Sequence, residues 1–167
     1  MKKNNCFITG GSGLLGANWL LHLKNNYNVN ASINKKNINL EKINFHKIDL
    51  LSKDTLTLLL KKIKSLFFIH AAAISNVENC EFNKINAFKI NVEIIKNISN
   101  VCSSLGIKLI YISTDHLFDG TEKFMPETGI KQPLNYYAET KNLAENYIIK
   151  NSKSYLIIRS NFFGWGT

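Results

Sequence analysis

Tyr137 and Lys141 form the pair in this sequence best suited to proton chemistry. They are four residues apart in Tyr137-Ala138-Glu139-Thr140-Lys141. A helix is predicted there, so both side chains project from one face. A free phenol titrates near ~10 and is a poor acid at neutral pH. A nearby ammonium stabilises the phenolate and lowers that value. Such a phenol can hand its proton to a carbonyl oxygen on which negative charge is developing. Thr114, at the end of an apolar run, offers a hydroxyl that would orient or polarise the same carbonyl. Read without their surroundings, Tyr137 is an aromatic packing on an amphipathic helix and Thr114 an ordinary strand-end residue.

A second constellation opens the chain. Gly10-Gly11-Ser12-Gly13-Leu14-Leu15-Gly16 places glycines at 10, 13 and 16 directly after an apolar strand and before a helix. The first glycine suits a tight turn, the second a close approach to a pyrophosphate, and the third close helix–strand packing. The helix then aims its first amides at the phosphates. A carboxylate about 20 residues further on would hold the ribose 2′-hydroxyl of NAD. The second strand instead runs into Asn34-Lys35-Lys36. Two lysines favour a 2′-phosphate and hence NADP(H), with NAD(H) as the alternative. They read equally well as a solvated turn in a lysine-rich chain.

The elements that would position these residues alternate. Strands are predicted at 5–9, 28–33, 44–48, 66–70, 108–113 and 155–159. Helices are predicted at 14–24, 52–64 with Ser52 as N-cap, 81–105 with Gly106 as its stop, and 136–150. Residues 119–135 hold both prolines and form one long loop. Continuous apolar strands separated by helices imply an α/β fold, a Rossmann-type doubly wound parallel sheet with helices on both faces.

Composition narrows the class. One domain is expected from 167 residues, with 45% apolar and 20% charged side chains. No apolar run approaches the ~20 residues of a membrane helix. The basic Met1–Asn5 segment is not followed by a long apolar stretch, so the cytoplasm is expected. The net charge of +9 comes almost wholly from lysine, Arg159 being the sole arginine. That argues against nucleic-acid readout, which leans on arginine forks. Cys6, Cys80 and Cys102 suit neither a disulfide framework nor a metal site, and read as small core residues. His70 beside the alanine run reads as a partly buried structural histidine.

Further motifs follow in order. They are Asp49-Leu50, His70-Ala71-Ala72-Ala73, Asn91 in Ile90-Asn91-Val92, Ser113-Thr114-Asp115-His116-Leu117-Phe118-Asp119-Gly120, and the Tyr137/Lys141 pair. With the glycine loop, this ordered set resembles the extended short-chain dehydrogenase/reductase family, and within it the dTDP-4-dehydrorhamnose reductase branch. His116 stands where that branch has Tyr, and Ala138 where Gly commonly follows the Tyr. The resemblance implies an NAD(P)-dependent reductase of a 4-keto nucleotide-sugar, with Thr114, Tyr137 and Lys141 at the reacting oxygen. It places Asp49 and Leu50 at the adenine, Ala71, Ala72 and Ala73 along the cofactor, and Asp115 and Phe162 toward the sugar. Asn91 would support Lys141, directly or through a water. It also implies that residues 1–167 are the NAD(P)-binding domain and that most of the C-terminal substrate lobe is absent. A homodimer, or a partner chain carrying that lobe, would then complete the site, with Phe162, Phe163 and Trp165 exposed. An epimerase or dehydratase of the same family and a non-catalytic dinucleotide-binding regulatory subunit remain the alternatives.

Overall fold

All six predicted strands form, and all are parallel. A computed structural model describes residues 3–33 and 40–162. Strands β1 (Asn5–Thr9), β2 (Asn28–Ile33), β3 (Ile43–Lys47), β4 (Ser65–His70), β5 (Lys108–Ser113) and β6 (Tyr155–Arg159) lie in the order β3-β2-β1-β4-β5-β6. Only β3 and β4 shift, each starting one residue early. The order reverses between β1 and β4, where Thr9 lies opposite His70. At such a reversal the crossovers leave in opposite directions and a crevice opens at the C-terminal strand ends.

Alternation along the strands feeds two cores. Cys6 and Ile8 point to one face and pack with Val29, Ile69 and Leu20 of helix α1 (Leu14–Leu23). Phe7 points to the other and stacks on Phe68 at 5.1 Å. That second face is covered by α2 (Lys53–Ile63), and by two further helices that contribute Ile95, Ile98 and Cys102, and Ala144 and Ile148. Each large apolar side chain buried this way contributes roughly 1.5–3 kcal/mol. Ser52 caps α2 through its hydroxyl, which accepts from the Thr55 N–H at 3.4 Å. Among the described residues no helix is long and apolar enough to cross a membrane, and no cluster of His, Cys, Asp and Glu could hold a metal ion. Cys6, Cys80 and Cys102 are free and buried, as expected.

The predicted single helix over 81–105 is corrected. The chain forms α3 (Val77–Phe82), α4 (Lys84–Phe88), a π-helical turn (Lys89–Glu93) and α5 (Ile94–Leu105). Two asparagines set the new boundaries. Asn76 accepts from Asn79 N–H at 2.7 Å and starts α3. Asn83, at φ −130° and ψ 73°, leaves helical geometry, and its side chain accepts from Asn86 N–H at 3.0 Å. Asparagine competes for backbone amides in this way and favours caps over helix interiors. The last long helix, α6 (Tyr136–Asn151), starts from Asn135, whose side chain accepts from Ala138 N–H at 2.9 Å.

Candidate functional site

The glycine loop does its work through two contacts. Gly10 has φ +75°, and a Cβ there would lie 2.8 Å from Ala71 C and Ala72 N. A Cβ on Gly16 would lie 2.0 Å from the Gly10 carbonyl oxygen. The loop therefore nests against the strand end that carries the alanine run. Gly13 closes the turn with its N–H donating to Gly10 O at 3.0 Å, and it stands at the N-cap of α1. No side chain caps that helix, and no acid occupies its first turn. Its leading amides are left to an external acceptor, and an anion there is stabilised by the helix dipole.

These amides open into a cleft of about 930 Å³ along the C-terminal strand ends. Gly10, Ser12, Gly13, Leu14, Leu15 and Gly16 line one end of it. Asp49 and Leu50 line it after β3, Ala71, Ala72 and Ala73 after β4, and Thr114, Tyr137, Lys141 and Phe162 at the far wall. Asp49 is held by accepting from Leu51 N–H at 2.9 Å. Asp115 is set just off the lining, its Oδ1 accepting from the Thr114 hydroxyl at 3.3 Å. Lys35, Lys36, Phe163 and Trp165 lie outside the described residues.

The floor between β1 and β4 is tied by the Thr9 hydroxyl, which is 2.7 Å from His70 Nδ1 and accepts from Ala72 N–H at 3.3 Å. Burial, with Lys141 adding to it, pushes His70 down to about 3. His70 is therefore neutral and structural. Lys141 is buried too. Its ammonium donates to Ile112 O at 2.6 Å and sits 4.3 Å from the Tyr111 ring centroid. Burial brings it down to about 7, with Glu145 acting against that fall.

Two expectations change here. Tyr137 was expected to be lowered by Lys141. Instead burial raises the phenol, against which only hydrogen bonding with Thr114 acts, while Cys80 and Asp115 add to the rise. With Lys141 turned to Ile112 O, the phenol stays protonated, the form that can donate. Direct support of Lys141 by Asn91 is not seen, which leaves the route through a water: Asn91 accepts from Ile74 N–H at 2.8 Å and donates to Ile74 O at 3.0 Å and to the Thr140 hydroxyl at 3.1 Å. The π-helical turn aims it at the segment after β4, which it fixes over α6.

Several lining residues escaped the sequence reading. Ile90 and Ile94 close the cleft from the helical side, and Ser32, Ile33 and Lys47 frame its β2–β3 end. Lys47 lies opposite Ile33 in the sheet register, and only strand pairing reveals that. The arrangement can hold a diphosphate across the α1 amides and present one proton donor, Tyr137, and one cation, Lys141, at the other end.

Residues 4–165 match the family model described as the RmlD substrate binding domain. The chain is 30% identical over 159 residues to methionine adenosyltransferase 2 subunit beta of Xenopus laevis, covering 94% of this chain and 46% of that protein. It resembles the structure of a hypothetical dTDP-4-dehydrorhamnose reductase from Sulfolobus tokodaii, with 32% identity and a TM-score of 0.83 over 95% of this chain and 55% of that one. It also resembles dTDP-4-dehydrorhamnose reductase from Bacillus anthracis in complex with NADP, with 26% identity and a TM-score of 0.82 over 94% and 53%. The chain spans about half the length of the curated relatives it matches.

Proposed function

The chain belongs to the RmlD substrate binding domain family, and from that membership we propose that it is the nicotinamide-dinucleotide domain of a reductase acting on the 4-keto group of a nucleotide-linked sugar. The observation that carries the reading is one continuous cleft with an uncapped helix N-terminus at one end and Thr114, Tyr137 and Lys141 at the other. Glycine clearances at Gly10 and Gly16 and the free α1 amides fit a dinucleotide diphosphate. The similarity to a reductase in complex with NADP supports the cofactor class. NADP(H) is favoured, on Lys47 at the β2–β3 end and on Lys35 beyond the described residues. Three buried free thiols fit a reducing compartment, the cytoplasm.

The bound dinucleotide would supply hydride to the sugar carbon. The chain's own residues do the rest. The α1 amides hold the diphosphate, and Ala71–Ala73 leave room for it to pass beneath the sheet edge. The Thr114 hydroxyl orients the carbonyl, and Tyr137 gives its proton to the carbonyl oxygen. Lys141, one helical turn from Tyr137, would add positive charge at that end of the cleft as the proton leaves. By the resemblance, residues that clamp the sugar nucleotide would come from a substrate lobe in the same or a partner polypeptide.

Calorimetry of the full chain with NADPH and NADH tests the cofactor half. Binding of neither would overturn it. The catalytic half is read from NADPH oxidation with a 4-keto sugar nucleotide, in the chain joined or mixed with a substrate lobe. Tyr137→Phe is expected to leave NADPH affinity within a few-fold and to lower turnover ~100-fold or more, since general acid catalysis contributes about that much. An unchanged rate removes Tyr137 from the mechanism. The similarity to a methionine adenosyltransferase subunit favours one second reading, a dinucleotide-binding regulatory subunit. Tight NADPH binding without turnover, together with altered kinetics of a partner enzyme, would select it.

A further inference from the structure

Glu145 is fully buried on the inner face of α6, one helical turn beyond Lys141. The reductase reading gives it no role. Its carboxylate accepts from Arg159 Nε at 3.0 and 3.3 Å and from Arg159 Nη2 at 2.8 Å, and it pairs with Lys131 Nζ at 2.8 Å. Arg159 also donates to Glu127 O at 2.7 Å and lies 5.5 Å from the Phe118 ring. One acid thus ties α6, the end of β6 and the 119–135 loop to a single point.

Lys141 faces mostly neutral groups. Tyr137 shares its helix, Tyr111 presents a ring from β5, and His70 packs behind that ring from β4 at 6.0 Å between centroids. Asp115 bears on Tyr137, at the far side of the pair. Arg159 from β6 and Lys131 from the loop are cations held beyond Glu145. Glu145 is the full negative charge next to Lys141 on its own helix, at the i,i+4 spacing that brings side chains together. Its two partners prevent it from turning away.

We propose that Glu145 is a positioning residue for Lys141: locked by Arg159 and Lys131, its carboxylate fixes one negative charge a helical turn from the buried ammonium and anchors the loop that follows Thr114. The proposal rests on Lys141 belonging to the dinucleotide site, yet its test needs no bound cofactor. Burial of an ammonium with only neutral partners strips its proton, and an opposite charge within ~4–6 Å restores it by about one pH unit or more.

The test titrates Lys141 in the full chain by ¹³Cε NMR of labelled lysine, with its signal assigned from Lys141→Arg. The wild-type midpoint is expected at about 7. Glu145→Gln is expected to lower it by about one pH unit. A merely structural Glu145 would loosen the site, admit water and raise the midpoint, and that result or no change overturns the proposal. Lys131→Met, in an exposed loop, keeps the test open should Glu145→Gln fail to fold. It removes a cation that offsets Glu145 and is expected to raise the midpoint, and a fall or no change overturns the proposal. NADPH calorimetry on the same samples reports separately on the cofactor reading.

Discussion

Two bases sit within one stacked group behind the cleft, of which Lys141 alone reaches the lining, and burial acts on both. His70 is pushed to about 3 and Lys141 to about 7, with the Tyr111 ring between them. Positive charge at this wall therefore belongs to Lys141. The Tyr137–Lys141 pair was legible because i,i+4 spacing survives in any helix. Glu145 has the same spacing from Lys141 but reads as an ordinary helix acid. Its partners Lys131 and Arg159 are each 14 residues away in sequence, and only the fold gathers them. Lys47 was illegible for a similar reason, since its place beside Ile33 depends on parallel pairing. It carries a prediction about cofactor choice. Lys47→Gln is expected to weaken NADPH several-fold and leave NADH unchanged, because a solvated ion pair is worth ~1 kcal/mol or less. Calorimetry with both dinucleotides checks this, and equal losses for the two would take Lys47 away from the 2′-phosphate.

At the scale of elements, strand positions were readable to within a residue because the central runs, β1, β2, β4 and β5, are apolar and mostly buried, while the edge strands β3 and β6 keep exposed positions. The break-up of the 77–105 region was not. The hydrophobic pattern continues through it, and the interruption comes from Asn83 turning its side chain on the Asn86 amide. The π-helical turn then carries Asn91 to Ile74, a contact no periodicity announces. The glycine loop was readable, and its tightest point is Gly16. Gly16→Ala sets a methyl 2.0 Å from a backbone carbonyl, so α1 must move. Overpacking of this kind costs ~1–3 kcal/mol. The expected result is a lower urea midpoint together with weaker NADPH binding. A variant as stable and as tightly binding as the wild type would mean that α1 can shift freely.

For the molecule as a whole, the cleft couples stability to pH. The folded value of His70 lies below its ordinary 6.5, so the unfolded chain binds a proton that the folded chain refuses. Its contribution is intact above about 6.5 and is lost as pH falls toward about 3. Lys141 acts in another window. Between about 10.5 and about 7 only the unfolded chain holds its proton, so stability rises with pH across that range. Urea midpoints measured across the acid limb are expected to fall less steeply in His70→Gln than in the wild type. Parallel slopes would show that the histidine is not buried in its neutral form. The placement of the thiols on the two sides of the sheet has a kinetic consequence. Cys6 lies in the α1-side core and Cys102 in the opposite one, and burial pushes each thiol up to about 12. Neither reacts with an alkylating reagent until its own layer separates from the strands, so each is a clock for that separation. Equal alkylation rates at the two sites would mean that both layers come away in a single event, and unequal rates would identify the layer that leaves first.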